Sequence, residues 1–304
     1  MFVLEKIHSA KKRIVKYYKD YFTIEGTYTS LLPDRVYLRK LYKQRLGKEL
    51  NLKNPQTFTE KINWLKLYDR RPEYTMMVDK YAVRDYVERI VGGGYLVPLL
   101  GVWSSVDEVP FDELPDQFVL KCNHDNGVII CKDKRDFDIE ATKKTLTFHM
   151  NRDYYRKGRE WPYKDVKRKI IAEKYMSDGS DSPLVDYKFF CFDGVVKACY
   201  VATDRPHDTR FDFFDRNFKH LPIINDHPNS SKIIRKPSNF DEMVHVAEKL
   251  ARGIPHVRID LYNINGKIYF GEMTFYHMGG FHPLEPVEWE KVFGAWIRLP
   301  AKWR

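Results

Sequence analysis

Three charged residues lie in a stretch that otherwise has the composition of a buried β-hairpin. Residues 258–274 read RIDLYNINGKIYFGEMT, with apolar residues on both sides of an Asn-Gly turn. Arg258, Asp260 and Glu272 interrupt this apolar pattern at strand-like positions. Because burial of an unpaired charge costs several kcal/mol or more, we expect these residues to be paired with one another, with a metal ion or with a ligand.

The register of the hairpin decides which of these side chains share a face. A two-residue turn would send Glu272 to the face opposite Asp260. A three-residue loop over 265–267 with a glycine bulge would instead pair Asp260 with Glu272 and Arg258 with Thr274. Mg²⁺ prefers carboxylate oxygens together with phosphate, so this second register predicts a magnesium site. The alternative is that Arg258 pairs with either carboxylate and no metal binds.

Four other charged residues stand at strand positions. Lys121 ends the strand FVLKC before the loop NHDNG, where it is either a phosphate contact or a solvated edge lysine. Glu173 follows three apolar residues, which fits a strand leaving the core or an acceptor for an exocyclic amine or a ribose. Asp186 and Lys188 share a face, as a salt bridge or as part of a binding site. His124 in the NHDNG loop fits a hydrogen-bonding residue better than a metal or catalytic ligand.

The charge of the chain favours an acidic partner. Its 304 residues contain 52 Lys and Arg against 42 Asp and Glu, which gives a formal net charge of +10. This suits nucleotides, uronic acids, nucleic acid or an anionic membrane surface. The basic residues are spread out, with no RNA-binding signature and no arginine-rich tail, so we expect no nucleic-acid partner.

The cysteines and the apolar segments predict a cytoplasmic protein. The four cysteines form no CxxC pair and lie in apolar, strand-like segments, as expected of buried free thiols in a reducing compartment. A disulfide or a zinc site is the alternative. We find no secretory signal, and no apolar run approaches the roughly 20 residues of a membrane span.

The sequence pattern predicts an α+β fold in two lobes after a helical N-terminal extension. Residues 2–22 fit a helix packed on the protein or on a second subunit, or a basic helix on the inner face of the membrane. Thr57 and Glu60 form a capping box for a second helix, and a third helical pattern runs from Thr75 to the glycines at 92–94. Further elements are predicted as strands at 95–103, 118–122, 128–133, 168–176, 185–192 and 195–204, and helices at 137–151 and 239–252.

The order of these parts resembles the ATP-grasp superfamily, and more closely its TupA-like branch, which is found among bacterial surface-polysaccharide proteins. A strand ending in Lys, an acidic-x-Lys strand and a final R-x-D…E-x-T pair follow one another as in that family. The similar phrases cover about residues 30–300 and are NLKNPQTFTEKINWLKLYD, VDKYAVRDYV, LPDQFVLKCNHDNG, DYKFFCFDG and RIDLYNINGKIYFGEMTFY.

The resemblance implies two α+β lobes that grip ATP, with ATP and Mg²⁺ as cofactors. It divides the chain into a helical extension (1–74), a segment leading into the nucleotide-binding region (75–117), a small ATP-binding lobe (118–176) and a large lobe with the metal and phosphate site (177–304). The implied ATP contacts are Lys80, Lys121 and Lys188 to the phosphates, Glu173, Lys174, Tyr175 and Met176 to adenine, and Asp186 to the ribose.

The resemblance also implies which residues bind the metal and act in the reaction. Asp260 and Glu272 would bind Mg²⁺, and Arg258 with Lys188 would stabilise the transferring phosphoryl group. The family usually carries Asn two residues after the metal-binding Glu, where this chain has Thr274, a hydroxyl ligand. The implied acceptor-substrate loop comprises Tyr276, His277, Gly279 and Gly280.

The activity implied by the resemblance is ligation of a carboxylate to an amine through an acyl phosphate, which needs no Ser-His-Asp arrangement. Its family setting implies a hexuronic acid of a capsule or O-antigen precursor as one substrate and an amino acid or amine as the other. Two alternatives stay open: a sugar kinase or transferase in polysaccharide synthesis, and a non-catalytic basic nucleotide-binding module. Oligomerisation is also left open.

Overall fold

Two antiparallel sheets form the framework of the chain. The computed structural model describes residues 32–180, 183–205 and 208–302. Its strands are β1 (Leu99–Trp103), β2 (Phe118–Cys122), β3 (Val128–Cys131), β4 (Ile170–Lys174), β5 (Asp186–Phe192), β6 (Val195–Thr203), β7 (Arg210–Asp215), β8 (His220–Leu221), β9 (His256–Ile264) and β10 (Lys267–Thr274). One sheet has the order β1-β4-β2-β3, and the other has the order β10-β9-β5-β6-β7-β8.

Helices cover these sheets and connect them. They are α1 (Asp34–Leu46), α2 (Phe58–Tyr68), α3 (Glu73–Val78), α4 (Val83–Val91), α5 (Ile139–Asn151), α6 (Tyr154–Gly158), α7 (Phe240–Leu250) and α8 (Glu288–Trp296). The predicted capping box begins α2, where the Thr57 hydroxyl accepts a hydrogen bond from the N–H of Glu60. Strands β7 and β8 and helix α8 were not predicted. The helix predicted over 2–22, and with it the predicted membrane contact, lies outside the described residues.

The predicted state of the cysteines is confirmed, since all four are buried and none is in a disulfide. Across the described ranges of the chain, no helix combines the length and the hydrophobicity needed to cross a bilayer.

The four-stranded sheet is covered on one face by α5. Phe118, Leu120 and Ala172 pack with Leu146 of that helix in a small separate core. Because side chains alternate along a strand, Lys121 and Glu173 point to the opposite face of this sheet. Strand β1 joins the sheet by pairing with β4, although the predicted lobe boundary at 118 left it outside.

The six-stranded sheet buries one face against α7 and turns the other toward a polar site. Phe189 of β5 packs on Phe240 of α7, with ring centroids 5.6 Å apart. Lys188 and Asp260 are paired across β5 and β9 on the opposite face. The charged residues share this face with a second apolar layer, in which Phe190 packs on Phe58 of α2 and Phe293 of α8.

The third predicted helix is interrupted in the structure, so the prediction of a continuous helix is wrong. Asp79 leaves the helical conformation, and its carboxylate accepts hydrogen bonds from the N–H groups of Tyr81 (2.8 Å) and Ala82 (3.2 Å). The Asn123 side chain also donates to this carboxylate at 2.9 Å. The break between α3 and α4 places Lys80 beside the loop that follows β2, since the Lys80 N–H donates to the Asn123 carbonyl at 3.0 Å.

Candidate functional site

The closing hairpin has the predicted pairing of Glu272 with Asp260, but its turn and bulge differ from the prediction. A two-residue Asn-Gly turn joins β9 and β10, and a bulge at Gly271 then shifts the register, so that Glu272 lies opposite Asp260 and Thr274 opposite Arg258. A Cβ at position 271 would lie 3.1 Å from the backbone oxygen of Asp260, which favours glycine there. The predicted shared face is therefore confirmed, whereas the predicted position of the bulge is wrong.

Arg258 is the centre of the polar cluster on this face and is 6% exposed. Its Nε and Nη2 donate to the two oxygens of Asp260 at 2.6 and 2.8 Å. Nη2 also donates to Glu272 Oε1 at 3.3 Å and to Thr274 Oγ1 at 3.0 Å, and Nη1 donates to His277 Nδ1 at 2.8 Å. Every nitrogen of the guanidinium is thus hydrogen-bonded, which fixes its direction. The ion pairing that the sequence left open is present in the structure.

A series of side chains with alternating charge continues from Asp260 to Arg205, which follows β6. Lys188 contacts the Asp260 carboxylate and lies 3.5 Å from Asp186, which Arg205 reaches at 2.6 Å. Burial favours the neutral form of Asp260, but the charges of Arg258 and Lys188 outweigh it and lower the pKa of Asp260 below its usual value. Asp260 is therefore ionised at neutral pH.

His277 lies behind Arg258 and is 1% exposed. A guanidinium can only donate, so His277 Nδ1 carries no proton and its Nε2–H donates to Asn225 Oδ1 at 2.8 Å. The Asn225 amide in turn donates to the carbonyls of His282 (3.3 Å) and Pro283 (3.1 Å), which fixes its orientation. Burial and the charge of Arg258 lower the pKa of His277 far below its usual value. The imidazole ring is therefore neutral, and it holds the Arg258 guanidinium by accepting a hydrogen bond from it.

We expect His277→Leu to lower the free energy of unfolding by about 2 kcal/mol or more, because it leaves an Arg258 N–H and the Asn225 oxygen buried without partners. His277→Gln offers an amide oxygen and an amide N–H at similar spacing, so it should recover part of that loss. Urea unfolding of both variants measures the difference. If glutamine destabilises as much as leucine, the ring acts by packing and not by these two hydrogen bonds.

The loop after β2 is held beside the cluster by Lys80. Its Nζ donates to the Asp125 carbonyl at 2.5 Å and lies 3.9 Å from Glu272 Oε2. The Asp125 carboxylate accepts from the N–H of Gly127 at 2.9 Å and is bonded to His149 of α5. Lys80 therefore connects the loop after β2 with the closing hairpin.

Two cationic side chains hold Glu173 on the face of the four-stranded sheet opposite α5. Lys121 Nζ lies 2.6 Å from one carboxylate oxygen, and Arg84 Nη1 lies 3.3 Å from the other. Arg84 also donates to the Val97 carbonyl at 2.9 Å. Glu173 is 8% exposed, so neither a solvated edge lysine nor a strand leaving the core describes this pair.

The remaining predicted contacts lie in two connections. Lys174 ends β4, and Tyr175 and Met176 follow it on the way to the six-stranded sheet. In the predicted acceptor loop, Tyr276, His277 and Gly280 are buried, whereas Gly279 is partly exposed. Their contacts with adenine and with the acceptor stay predictions.

Helix α2 holds this acceptor loop with two buried polar side chains. Asn63 donates to the Gly280 carbonyl at 2.8 Å, and Lys66 Nζ donates to the carbonyls of Gly279 (2.5 Å) and Gly158 (2.8 Å). A Cβ at position 280 would lie 2.7 Å from Ile62 Cγ2, so only glycine allows the helix to approach this closely. Burial lowers the pKa of Lys66, as expected of a cation that is held mainly by carbonyl groups.

One family comparison covers the whole of this site. A sequence model of the TupA-like ATP-grasp family matches residues 60–298. The chain belongs to the TupA-like ATP-grasp family. The predicted family and the ATP-grasp fold are thereby confirmed, and every residue given a predicted role lies inside the matched region of this ATP-grasp protein.

Solved structures resemble this TupA-like protein at low sequence identity. The D-alanine–D-alanine ligase of Bacillus anthracis, complexed with ATP, is 15% identical with a TM-score of 0.38 over 66% of this chain and 54% of its own. That of Helicobacter pylori is 13% identical with a TM-score of 0.41 over 80% and 69%. D-cycloserine synthetase DcsG is 14% identical with a TM-score of 0.38 over 67% and 64%. The alignment thus spans about half to two thirds of these proteins, and no curated protein matches in sequence.

Several residues of this TupA-like site were not singled out from the sequence. Asn63 and Lys66 had a signal, since they interrupt the apolar pattern of α2 beside Ile62 and Leu65. The others had none, because their partners are distant along the chain. These residues are Arg84, His149, Arg205 and Asn225.

Proposed function

We propose that this TupA-like ATP-grasp protein is an ATP- and Mg²⁺-dependent ligase that joins a carboxylate to an amine. The observation that carries the proposal is the buried Arg258, which holds Asp260 and Glu272 on adjacent strands while Lys80 approaches from the connection between α3 and α4. Phosphoryl transfer depends mainly on positioning and on charge neutralisation. A fixed guanidinium between two carboxylates and beside lysines meets both needs.

The nucleotide is expected between the two sheets. Lys80, Lys121 and Lys188 would contact its phosphates. Val128 and Ile130 of β3 lie on the same face as Lys121 and are 50% and 53% exposed, so they offer an apolar surface to a base. The other proposed contacts are Glu173, Lys174, Tyr175 and Met176 with adenine, and Asp186 with the ribose.

The donor set of the hairpin fits Mg²⁺. This ion takes one or two carboxylates and completes its shell with phosphate and water. Among the described residues, no group of three or more His, Cys, Asp or Glu side chains is arranged to hold a metal, so Asp260 and Glu272 would share the ion with phosphate. The Glu272 side chain is 38% exposed and open to it, and the Thr274 hydroxyl donates to Glu272 at 3.1 Å. Bound Mg²⁺ would neutralise phosphate charge.

The residues of the cluster suit both halves of the proposed reaction. A carboxylate becomes an electrophile when its oxygen takes the γ-phosphoryl group of ATP: the new O–P bond gives an acyl phosphate, and the bond to the leaving ADP breaks. An amine then attacks the carbonyl carbon, the C–N bond forms, the C–O bond to phosphate breaks, and the amine protons pass to solvent. Arg258 would stabilise first the transferring phosphoryl group and then the oxyanion, with Lys188 beside it.

The proposed substrates are a hexuronic acid of a surface-polysaccharide precursor and an amino acid or amine. The uronic acid is supported by the family likeness and by the positive charge of the chain, which suits an acidic sugar.

ADP release tests this proposal directly. The protein is incubated with Mg-ATP and a panel of uronic-acid nucleotide sugars, with and without pooled amino acids, and the products are identified by mass. We expect ADP only when both partners are present, with a product one water lighter than their sum. A phosphorylated sugar formed without any amine would overturn the ligase in favour of a kinase. If no member of the panel leads to ADP release, the proposed substrates are overturned.

Lys121→Ala should weaken the binding of Mg-ADP about 10- to 100-fold, because a charge-assisted hydrogen bond contributes about 1.5–3 kcal/mol. Calorimetric titration measures this affinity. Lys144→Ala, on the exposed side of α5 in the same lobe, is the matched control and should bind normally. Unchanged affinity in Lys121→Ala would show that this lysine serves Glu173 alone.

A further inference from the structure

Glu160 places a carboxylate near the acceptor loop without any partner. It lies between α6 and the turn at 161–163, and its side chain is partly buried. No hydrogen bond or ion pair joins this carboxylate to any residue in the described part of the chain. Charged groups that leave water are normally paired. An unpaired carboxylate at this depth therefore suggests a cationic ligand.

Two glycines form the walls on either side of this carboxylate. A Cβ at position 279 would lie 3.6 Å from Glu160 Oε1, and one at position 158 would lie 2.9 Å from it. Lys66 donates hydrogen bonds to the carbonyls of both glycines and so fixes the two walls. Its ammonium attracts Glu160 through charge but forms no ion pair with it among the described residues, so the Glu160 oxygens accept no hydrogen bond from Lys66.

Glu160 also lies within electrostatic range of the proposed reaction centre. Burial raises the pKa of Glu160, Glu272 raises it further, and Lys66 and Arg258 act in the opposite direction. Gly279 beside this carboxylate lies two residues after His277, whose ring accepts a hydrogen bond from Arg258 at 2.8 Å, so the loop connects Glu160 with the groups proposed to handle the phosphoryl group. A substrate bound by Glu160 would therefore lie next to that centre.

Two tyrosines complete the surroundings. The rings of Tyr154 and Tyr163 meet edge to face with centroids 4.8 Å apart, and the Tyr163 N–H donates to the Glu160 carbonyl at 3.1 Å. Aromatic faces attract cations, above all where water is scarce. A carboxylate beside such rings suits an ammonium group, which it attracts by charge as well as by hydrogen bonding.

We propose that Glu160 binds the ammonium group of the amine substrate beside Gly279. The inference rests on the ligase function proposed above and deepens it by naming the residue that holds the amine substrate. The bound ammonium has to lose one proton to solvent before its nitrogen can attack the carbonyl carbon. It also gives the acceptor loop a role: Gly279 leaves the space that the amine occupies.

Calorimetric titration of the full chain in the presence of Mg-ADP tests this site with glycine, L-alanine, L-glutamate, L-lysine and ethanolamine as probes. We expect at least one probe to bind the wild type and Glu160→Gln to weaken it about 30-fold or more, because one member of a partly buried charge pair is lost. Glu160→Asp, which keeps the charge on a shorter side chain, should weaken binding less than Gln. Glu140→Gln, on the exposed surface of α5, is the control.

The outcomes separate this inference from the ligase proposal. Equal binding to the wild type and Glu160→Gln, or binding of no probe to the wild type, overturns the amine site. Hydroxylamine trapping of an acyl phosphate, measured on the wild type with Mg-ATP and uronic acids, tests the ligase independently. If hydroxamate forms but the wild type and Glu160→Gln bind the amine equally, the ligase proposal stands and the amine site is refuted. If the wild type binds the amine more tightly than Glu160→Gln but no hydroxamate forms, the amine site stands and the ligase proposal is refuted.

Discussion

Glu272→Gln will reduce Mg²⁺-dependent ADP release about 100- to 1,000-fold, because it removes one of the two charges proposed to hold the metal beside the phosphates. The Glu272 side chain is 38% exposed, so the neutral isostere should leave the fold intact. Asp260→Asn should lose at least as much turnover, but it also leaves Arg258 and Lys188 short of a buried partner. Glu272→Gln is therefore the cleaner test of the metal.

ADP release across a range of Mg²⁺ concentrations measures this effect, with Glu140→Gln as the control. We expect the Glu272→Gln variant to require more Mg²⁺ for half-maximal turnover. Wild-type turnover and an unchanged Mg²⁺ requirement in both hairpin variants would remove the metal assignment. In that case the carboxylates serve only to hold Arg258.

Arg258→Leu will lower the free energy of unfolding by about 3–5 kcal/mol, since removal of one partner leaves the others buried and uncompensated. The lost contacts are those to Asp260, Glu272, Thr274 and His277. Urea unfolding measures the cost. Arg135→Leu breaks a pair whose arginine is 88% exposed and should change stability little. An equally small change for Arg258→Leu would show that the ion cluster contributes nothing to folding.

The cost of Arg258→Leu should depend on pH in a defined direction. Arg258 and Lys188 lower the folded-state pKa of Asp260, so its contribution is present above the unfolded pKa of about 4 and is lost as the pH falls through the lower folded value. Without the guanidinium, burial moves the folded-state pKa of Asp260 upward, which penalises the variant at neutral pH and not in acid. The gap between wild type and variant should therefore narrow from pH 7 to about pH 4. A constant gap would mean that Asp260 does not cause it.

The sequence was sufficient to predict that the charged residues of the hairpin share a face, because unpaired charges in an apolar strand are costly. It did not reveal how that face arises. The position of the bulge depends on backbone contacts across the ladder, and the close approach of Gly271 to the Asp260 carbonyl is one of these non-local contacts. The strands flanking Lys121 and Lys188 could likewise be predicted from alternation, which is a local property.

Features that depend on distant partners could not be predicted. The helical pattern around Asp79 is locally continuous, and the break is stabilised by Asn123, which lies 44 residues further along. The support of Arg258 by His277 depends on Asn225, which is 52 residues away from the histidine. In both cases the local sequence agrees with a simpler structure, and a tertiary hydrogen bond selects another.

The contact between α2 and the acceptor loop limits how this protein can be divided. Asn63 and Lys66 belong to the predicted helical extension, yet they hold Gly279 and Gly280, more than two hundred positions later. A fragment that begins at residue 75 would keep both sheets and lose the support of the loop at the far end of the chain. A chain whose first 74 residues are exchanged for those of another protein therefore keeps this loop in place only if the new segment supplies the donors of Asn63 and Lys66.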